Sequence, residues 1–380
     1  MHIILATESI RHPLTGVGRY TQELAAQLAA LPQIQSLRYL HGRRLLAQLP
    51  TPGPGSTLTP WIRDRFSHVG LATDVYRRLN NLAKARALRG QGKALFHGCN
   101  YYVPAFDGPS IATFHDISIY RWAQCHRADR VRYMRKELQL AVQRAQLILT
   151  VSEFSRQEIA AHFALPSARI RAIPLAADPA FRPQTSAELA APLREFGLDR
   201  DAYCLCISTI EPRKNIDTLL TAYAALPAAL RTRHPLVIAG HSGWSSTALH
   251  ARMRQAEQEG WLRYLGYVPQ SRLPALLAGA RLFVFPSLYE GFGLPVLEAM
   301  ASGTPVLCSR ASALPEVAGT AAELFDPADS IALGQALVRG LEDATWRATA
   351  RQAGLDRATQ FSWQRCAALT ADAYRDVLAA

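Results

Sequence analysis

The stretch RLFVFPS, Arg281–Ser287, runs into YEGFGLPVLEAM, Tyr289–Met300. An uninterrupted apolar run with a proline at its end reads as a buried strand of a parallel sheet. Gly291 and Gly293 then permit a tight turn with close backbone approach to a ligand. Pro295 suits the first position of a helix, so the spacing predicts that the helix starts there. Its amide groups would point outward, ready for an anion such as a diphosphate. Glu298 is expected in the first turn and Glu290 on the loop before it. Both would line the crevice at the carboxyl end of a parallel strand, where open α/β sheets take their ligands. Each carboxylate suits a pair of hydroxyls on a sugar or ribose. The alternative for Glu298 is a favourable charge at a helix N-terminus.

Outward from this stretch, strands and helices alternate. YCLCIST, PLVIAG, YLGYVP and PVLCS read as strands, with NIDTLLTAYAAL, ALHARMRQAEQEG and LPVLEAMAS as helices. The N-terminal part repeats the pattern. HIILA is a strand, TGVGRY a glycine loop, and the next helix carries Tyr20, Leu24, Leu28 and Leu31 on one stripe. ALFH, SIATFHD, LILTVS and RIRAIPLA are further strands. Such alternation predicts an α/β chain of two doubly wound, Rossmann-like parallel-sheet domains. The proline- and alanine-rich stretch Pro174–Pro192 marks the boundary, giving domains 1–180 and 181–360. The closing helix, 361–380, follows FSWQRC with Trp363, Ala367, Leu369, Tyr374 and Leu378 as its apolar positions. It is expected to pack back on the first domain.

With 380 residues, 49% apolar and 19% charged, the chain can bury sizeable cores. The formal charge of +12 favours anionic partners without choosing among them. The six cysteines form no CxxC pair and read as buried thiols of a reducing compartment. The start, MHIILATES, lacks a basic n-region, and no apolar run has the length of a membrane span. A cytoplasmic location follows, with any membrane contact peripheral. The segment Trp61–Lys93 carries Arg63, Arg65, Arg77, Arg78, Lys84, Arg86, Arg89 and Lys93 against Asp64 and Asp74. It is either a solvated face or a docking surface for anionic lipid. The pair Asp199 and Asp201 stands before a strand, at the wrong end for a ligand, and reads as a solvated turn. No metal is implied, and G-x-x-x-x-G-K-[ST] is absent.

The spacing Glu290-x7-Glu298 resembles that of retaining glycosyltransferases of the GT-B fold, family 4. STIEPRKNID, Ser208–Asp217, is similar to their phosphate-binding turn, and TFHD, Thr113–Asp116, to their histidine motif. VSEFSR, TGVGRY and FSWQRC also agree, in the expected order. The resemblance implies that Glu290 contacts the donor sugar near the reacting carbon and that Glu298 holds the ribose hydroxyls. It gives Lys214 the diphosphate, with Arg213 as a helper. Gly291, Phe292, Gly293 and Leu294 complete the donor loop. Gly16 and Gly18 bring amides of the first loop to the donor phosphate, and His115 lies beside the donor sugar. Many relatives carry an arginine where this chain has Ser208.

The reaction so implied is metal-independent, needs no cofactor, and passes a hexose from a nucleotide sugar to a growing glycan with retention. EPRKN and FHD look most like transferases that use GDP-mannose, or a related GDP-sugar, to build bacterial surface polysaccharide or lipopolysaccharide on a polyprenyl-linked acceptor. The nucleobase would be read near Gly266–Pro269. A UDP- or dTDP-sugar donor is an alternative, as are a nucleotide-sugar epimerase and a nucleic-acid-binding protein. For the last, no recognition motif is present.

Overall fold

The computed structural model describes residues 1–11, 14–50, 70–243 and 246–380, with side chains omitted for 70–78. The chain divides into two units. One comprises Met1–Ala123, Arg127–Leu175 and Trp363–Ala380; the other comprises Gln124–His126 and Ala176–Ser362.

In the first unit the strands are β1 (His2–Ala6), β2 (Ser36–His41), β3 (Arg44–Leu46), β4 (Leu95–Gly98), β5 (Ser110–Phe114), β6 (Leu147–Thr150) and β7 (Ile170–Ala172). Their order is β3-β2-β1-β4-β5-β6-β7. Every pairing is parallel except β2 with β3, which closes one edge as a hairpin through Gly42 at φ 60°. The chain runs from β1 outward to β2 and returns on the other side at β4. That reversal makes the β1/β4 gap the switch point, where a crevice opens beyond the strand ends.

The second unit contains β8 (Cys204–Ile207), β9 (Leu236–Ala239), β10 (Leu262–Gly266), β11 (Leu282–Phe285), β12 (Val306–Ser309) and β13 (Glu323–Phe325), ordered β10-β9-β8-β11-β12-β13. This is the dinucleotide-binding order, with its switch point between β8 and β11. All four residues of β9, β11 and β12 are buried, which explains why they read as unbroken apolar runs. Cys204 and Cys206 share one face of β8 within the core of this unit. All six cysteines are free and buried.

The helix Trp363–Ala379 belongs to the first unit. Its stripe Trp363, Cys366, Ala367, Thr370, Ala371 and Tyr374 is buried, and it packs along the helix Gly16–Ala29. Leu378, expected on that stripe, is exposed instead. Within Pro174–Pro192, read as a linker, lies a helix, Ser186–Glu195. It is started by a capping box in which Thr185 and Glu188 bond each other's backbone amides. No helix among the described residues is long and apolar enough to cross a membrane.

Candidate active site

In the second unit, the turns after β8 and β11 meet at the switch point. Lys214 Nζ donates to Glu290 Oε1 at 2.5 Å, and Arg213 Nη1 stands 3.5 Å from Glu290 Oε2. Arg213 is also fixed by Glu211 at 2.7 Å and by the carbonyl of Tyr289 at 2.6 Å. The backbone closes the same junction, since Leu288 N donates to Arg213 O at 2.9 Å. Two cations and two carboxylates therefore form one nearly buried, neutral network. Burial alone would push the Glu290 carboxyl up; the Lys214 and Arg213 charges outweigh it and hold the group below its ordinary value. The sequence reading placed Lys214 and Glu290 on separate parts of a ligand. The structure pairs them with each other, and it adds Glu211, which that reading passed over within EPRKN.

The glycine loop after β11 ends at Gly293, with φ 111°, where a Cβ would lie 2.6 Å from Leu314 Cδ2. Only glycine fits there. The helix that follows is Leu294–Ala301, one residue earlier than expected, with Pro295 at its second position. Glu298 is accordingly past the first turn, the fifth helical residue, and buried at 5% exposure. Gly291 is buried, and Phe292 turns its ring edge-on to Phe361 at 5.9 Å, so that side chain packs into the fold. Beyond the ends of β9 and β10, His241 and Tyr267 stack at 4.4 Å with planes 19° apart. Tyr267 is 47% exposed, leaving a flat aromatic platform beside Gly266.

In the first unit, His115 follows β5 directly. Its Nε2 lies 3.0 Å from the Cys99 carbonyl, and its ring meets Tyr20 edge-on at 4.9 Å. Burial lowers its pKa despite that bond and the charge of Asp116, so the ring is neutral near pH 7. Behind it runs a buried chain of hydrogen bonds. Tyr20 Oη meets Thr113 Oγ1 at 2.9 Å, Thr113 meets His97 Nε2 at 2.8 Å, and His97 Nδ1 meets Tyr374 Oη at 2.7 Å. The sequence marked Tyr374 only as an apolar helix position and gave no sign of its bond to His97, 277 positions away. Gly16 and Gly18, expected in a loop, are the first and third residues of the helix Gly16–Ala29. Thr15 caps that helix by accepting from Gly18 N at 3.3 Å, and a Cβ at Gly18 would lie 2.6 Å from Ser9 O. Asp201, in the expected turn, is paired with Arg281 at 2.6 Å.

Arg63 and Arg65 of the basic segment lie outside the described residues, as do the side chains of Arg77 and Arg78. Lys84 departs from the surface reading. It is buried, 2.6 Å from Glu8 Oε1, with Nζ 4.1 Å above the Tyr102 ring.

Two doubly wound sheets, each with a switch point, define the class as the GT-B fold. Residues 194–357 match the family model for group 1 glycosyl transferases, and residues 14–181 match that for Glycosyltransferase Family 4. The chain belongs to this glycosyltransferase family. It is 43% identical to O-antigen chain mannosyltransferase B of Escherichia coli over 379 residues, 99% of this chain and all of the relative. It is 33% identical over 294 residues to the serotype-specific mannosyltransferase WbdA of the same species, 74% of this chain but 36% of that longer protein. Among solved structures, Anabaena HepE in complex with UDP and glucose has the same fold, with TM-score 0.71 and 18% identity over 99% of this chain and 100% of that one.

Proposed function

We propose that the chain is a retaining, metal-independent mannosyltransferase. It moves mannose from GDP-mannose to a growing, lipid-linked surface glycan at the cytoplasmic face of a membrane. The observation that carries this reading is the end-to-end 43% identity with the E. coli O-antigen mannosyltransferase. The first unit takes the acceptor and the second the donor.

The donor diphosphate sits against Lys214, which exchanges Glu290 for it, and against the amides at the start of the helix Leu294–Ala301. Fixed positive charge at this point stabilises the leaving group as its charge develops. Glu290, thereby released, orients the donor sugar, while Glu298 accepts hydrogen bonds from the ribose hydroxyls. The guanine stacks on the Tyr267–His241 platform. In the first unit, His115 is held by the Cys99 carbonyl and kept neutral by burial, so in this reading it adds no charge repulsion to the cationic character that grows at the anomeric carbon. In the transfer step the bond from that carbon to the diphosphate oxygen breaks. The acceptor oxygen bonds to the carbon from the same face, and its proton goes to the departing phosphate oxygen.

A thermal-shift panel of GDP-, UDP-, dTDP- and ADP-sugars tests the donor. A ligand at 100 times its dissociation constant adds about 2.7 kcal/mol. GDP-mannose is expected to respond; a selective response to UDP- or dTDP-sugars replaces it as donor. Proton NMR of the product tests retention, which an inverted linkage excludes. Salt-sensitive co-sedimentation with anionic vesicles tests the membrane contact.

A further inference from the structure

At the amino ends of the second unit's strands lies a cavity of about 310 Å³ whose lining includes Arg200, Asp201, Arg281, Gly303, Arg347 and Arg351. Asp201 precedes β8, Arg281 stands immediately before β11, and Gly303 lies on the turn into β12. Lys214 and Glu290 follow the carboxyl ends of β8 and β11, so the cavity is at the opposite edge of the same sheet from their network. Nothing in the transfer reading uses it.

The charges of the lining do not balance. Four guanidiniums are set against one carboxylate among the described lining residues, and that carboxylate, Asp201, pairs with Arg281 at 2.6 Å. The hydrogen bonds of Arg347 and Arg351 among the described residues go to main-chain carbonyls instead. Arg347 Nη1 and Arg281 Nε donate to the same oxygen, Leu341 O, at 2.9 and 2.7 Å. Arg351 Nη1 donates to Gly303 O at 2.9 Å. These anchors hold like charges side by side. Burial and the neighbouring Arg281 charge lower the Arg347 pKa against the pull of Asp201 and Asp343. Leu341 lies in the last turn of the helix Ser330–Glu342, and Gly303 follows the helix Leu294–Ala301. Capping those helix ends uses part of each fork and leaves its other N–H groups for a ligand. Gly303, at φ 74°, gives Arg351 its place, since a Cβ there would lie 3.0 Å from the Arg351 Cζ.

The chemistry of the lining selects a class of ligand. Arginine forks match the oxygens of a phosphoryl group, and a surplus of cations suits a multiply charged anion rather than a monocarboxylate. The remaining lining residues are alanines, glycines and a proline, which offer no ring for a base to stack on. We infer that this cavity is an anion site separate from the Lys214 turn, taking pyrophosphate or a phosphomonoester with no nucleoside attached. A free anion and a lipid headgroup share that chemistry.

The test is isothermal titration of sodium pyrophosphate into the full chain at fixed ionic strength. Lys214→Gln removes the cation of the other phosphate turn, so pyrophosphate bound by this variant sits elsewhere. Arg347→Gln, alone and in that background, should bind about tenfold more weakly, and Arg200→Ala about threefold. Arg200 is exposed and bonds the Ser186 hydroxyl, so its loss spares the core and keeps the test open if Arg347→Gln does not fold. Sodium acetate should not compete. Unchanged affinity in both arginine variants, no pyrophosphate bound by Lys214→Gln, or competition by acetate overturns the inference. Phosphatidic acid vesicles identify the source: displacement of pyrophosphate from the arginines assigns the site to a headgroup, and its retention to a free anion. A wild type with no response to any nucleotide sugar would end the transferase reading and leave this site standing.

Discussion

Acidification should weaken the fold in a way that traces to one imidazole. His97 is fully buried between Thr113 and Tyr374, and burial, aided by nearby His115, pushes it down to about 3. In an unfolded chain a histidine titrates near 6.5. Below that pH the unfolded chain binds a proton that the folded chain refuses until about pH 3. The contribution is complete above pH 6.5 and drains away as the pH falls, at about 1.4 kcal/mol per pH unit. From pH 6.5 to 5 the loss is about 2 kcal/mol. Carboxylates impose their own slope, so the informative quantity is the difference between wild type and His97→Gln. The variant strands Thr113 or Tyr374 and should be less stable at neutral pH by about 1–3 kcal/mol. Between pH 6.5 and 5, however, it should lose about 2 kcal/mol less than the wild type. Urea unfolding at the two pH values, followed by circular dichroism, measures both numbers. Parallel losses in the two proteins would refute a neutral, buried His97.

Other changes act on the second unit. Lys214→Ala leaves Arg213 as the remaining cation in contact with Glu290 and should cost about 3 kcal/mol of stability, besides weakening binding of the nucleoside diphosphate, both read by thermal shift. Glu290→Gln keeps the shape of the side chain; transfer should fall by about 10²–10³ while the nucleotide still binds, and equal loss of both removes its assigned role. Glu298→Gln should instead raise the donor dissociation constant about tenfold, the loss of one charged hydrogen bond, with the acceptor KM unmoved. Gly240 has φ 151° and a would-be Cβ 1.8 Å from Ser208 O, so Gly240→Ala should destabilise the second unit by more than about 2 kcal/mol, read as a lower urea midpoint.

What could be read in advance follows burial. β11 and β5 are buried along their whole length, so composition alone announces them. β2 is half-buried and carries Arg38 and His41, and β13 has three residues, too few for a period to show; neither was anticipated. TGVGRY looked like a loop because glycine is a poor helix former. The Thr15 cap and the close approach of Ser9 O that excludes a side chain at Gly18 are tertiary facts. Glu290 and His115 announced themselves by position after strands, and Lys214 through the resemblance of its turn to a phosphate-binding one. Glu211, Tyr374 and Lys84 did not, since their importance depends on a partner supplied by a distant segment.

The return of the C-terminal helix has a consequence for synthesis. The segment Ala176–Ser362 leaves the ribosome as one uninterrupted piece and can collapse as soon as it emerges. The amino-terminal sheet, begun far earlier, waits for Tyr374 to cap His97 and for Ala367 and Ala371 to cover the helix Gly16–Ala29. The half translated first is therefore the half finished last, and a nascent chain arrested before Trp363 carries a mature second unit and an incomplete first one.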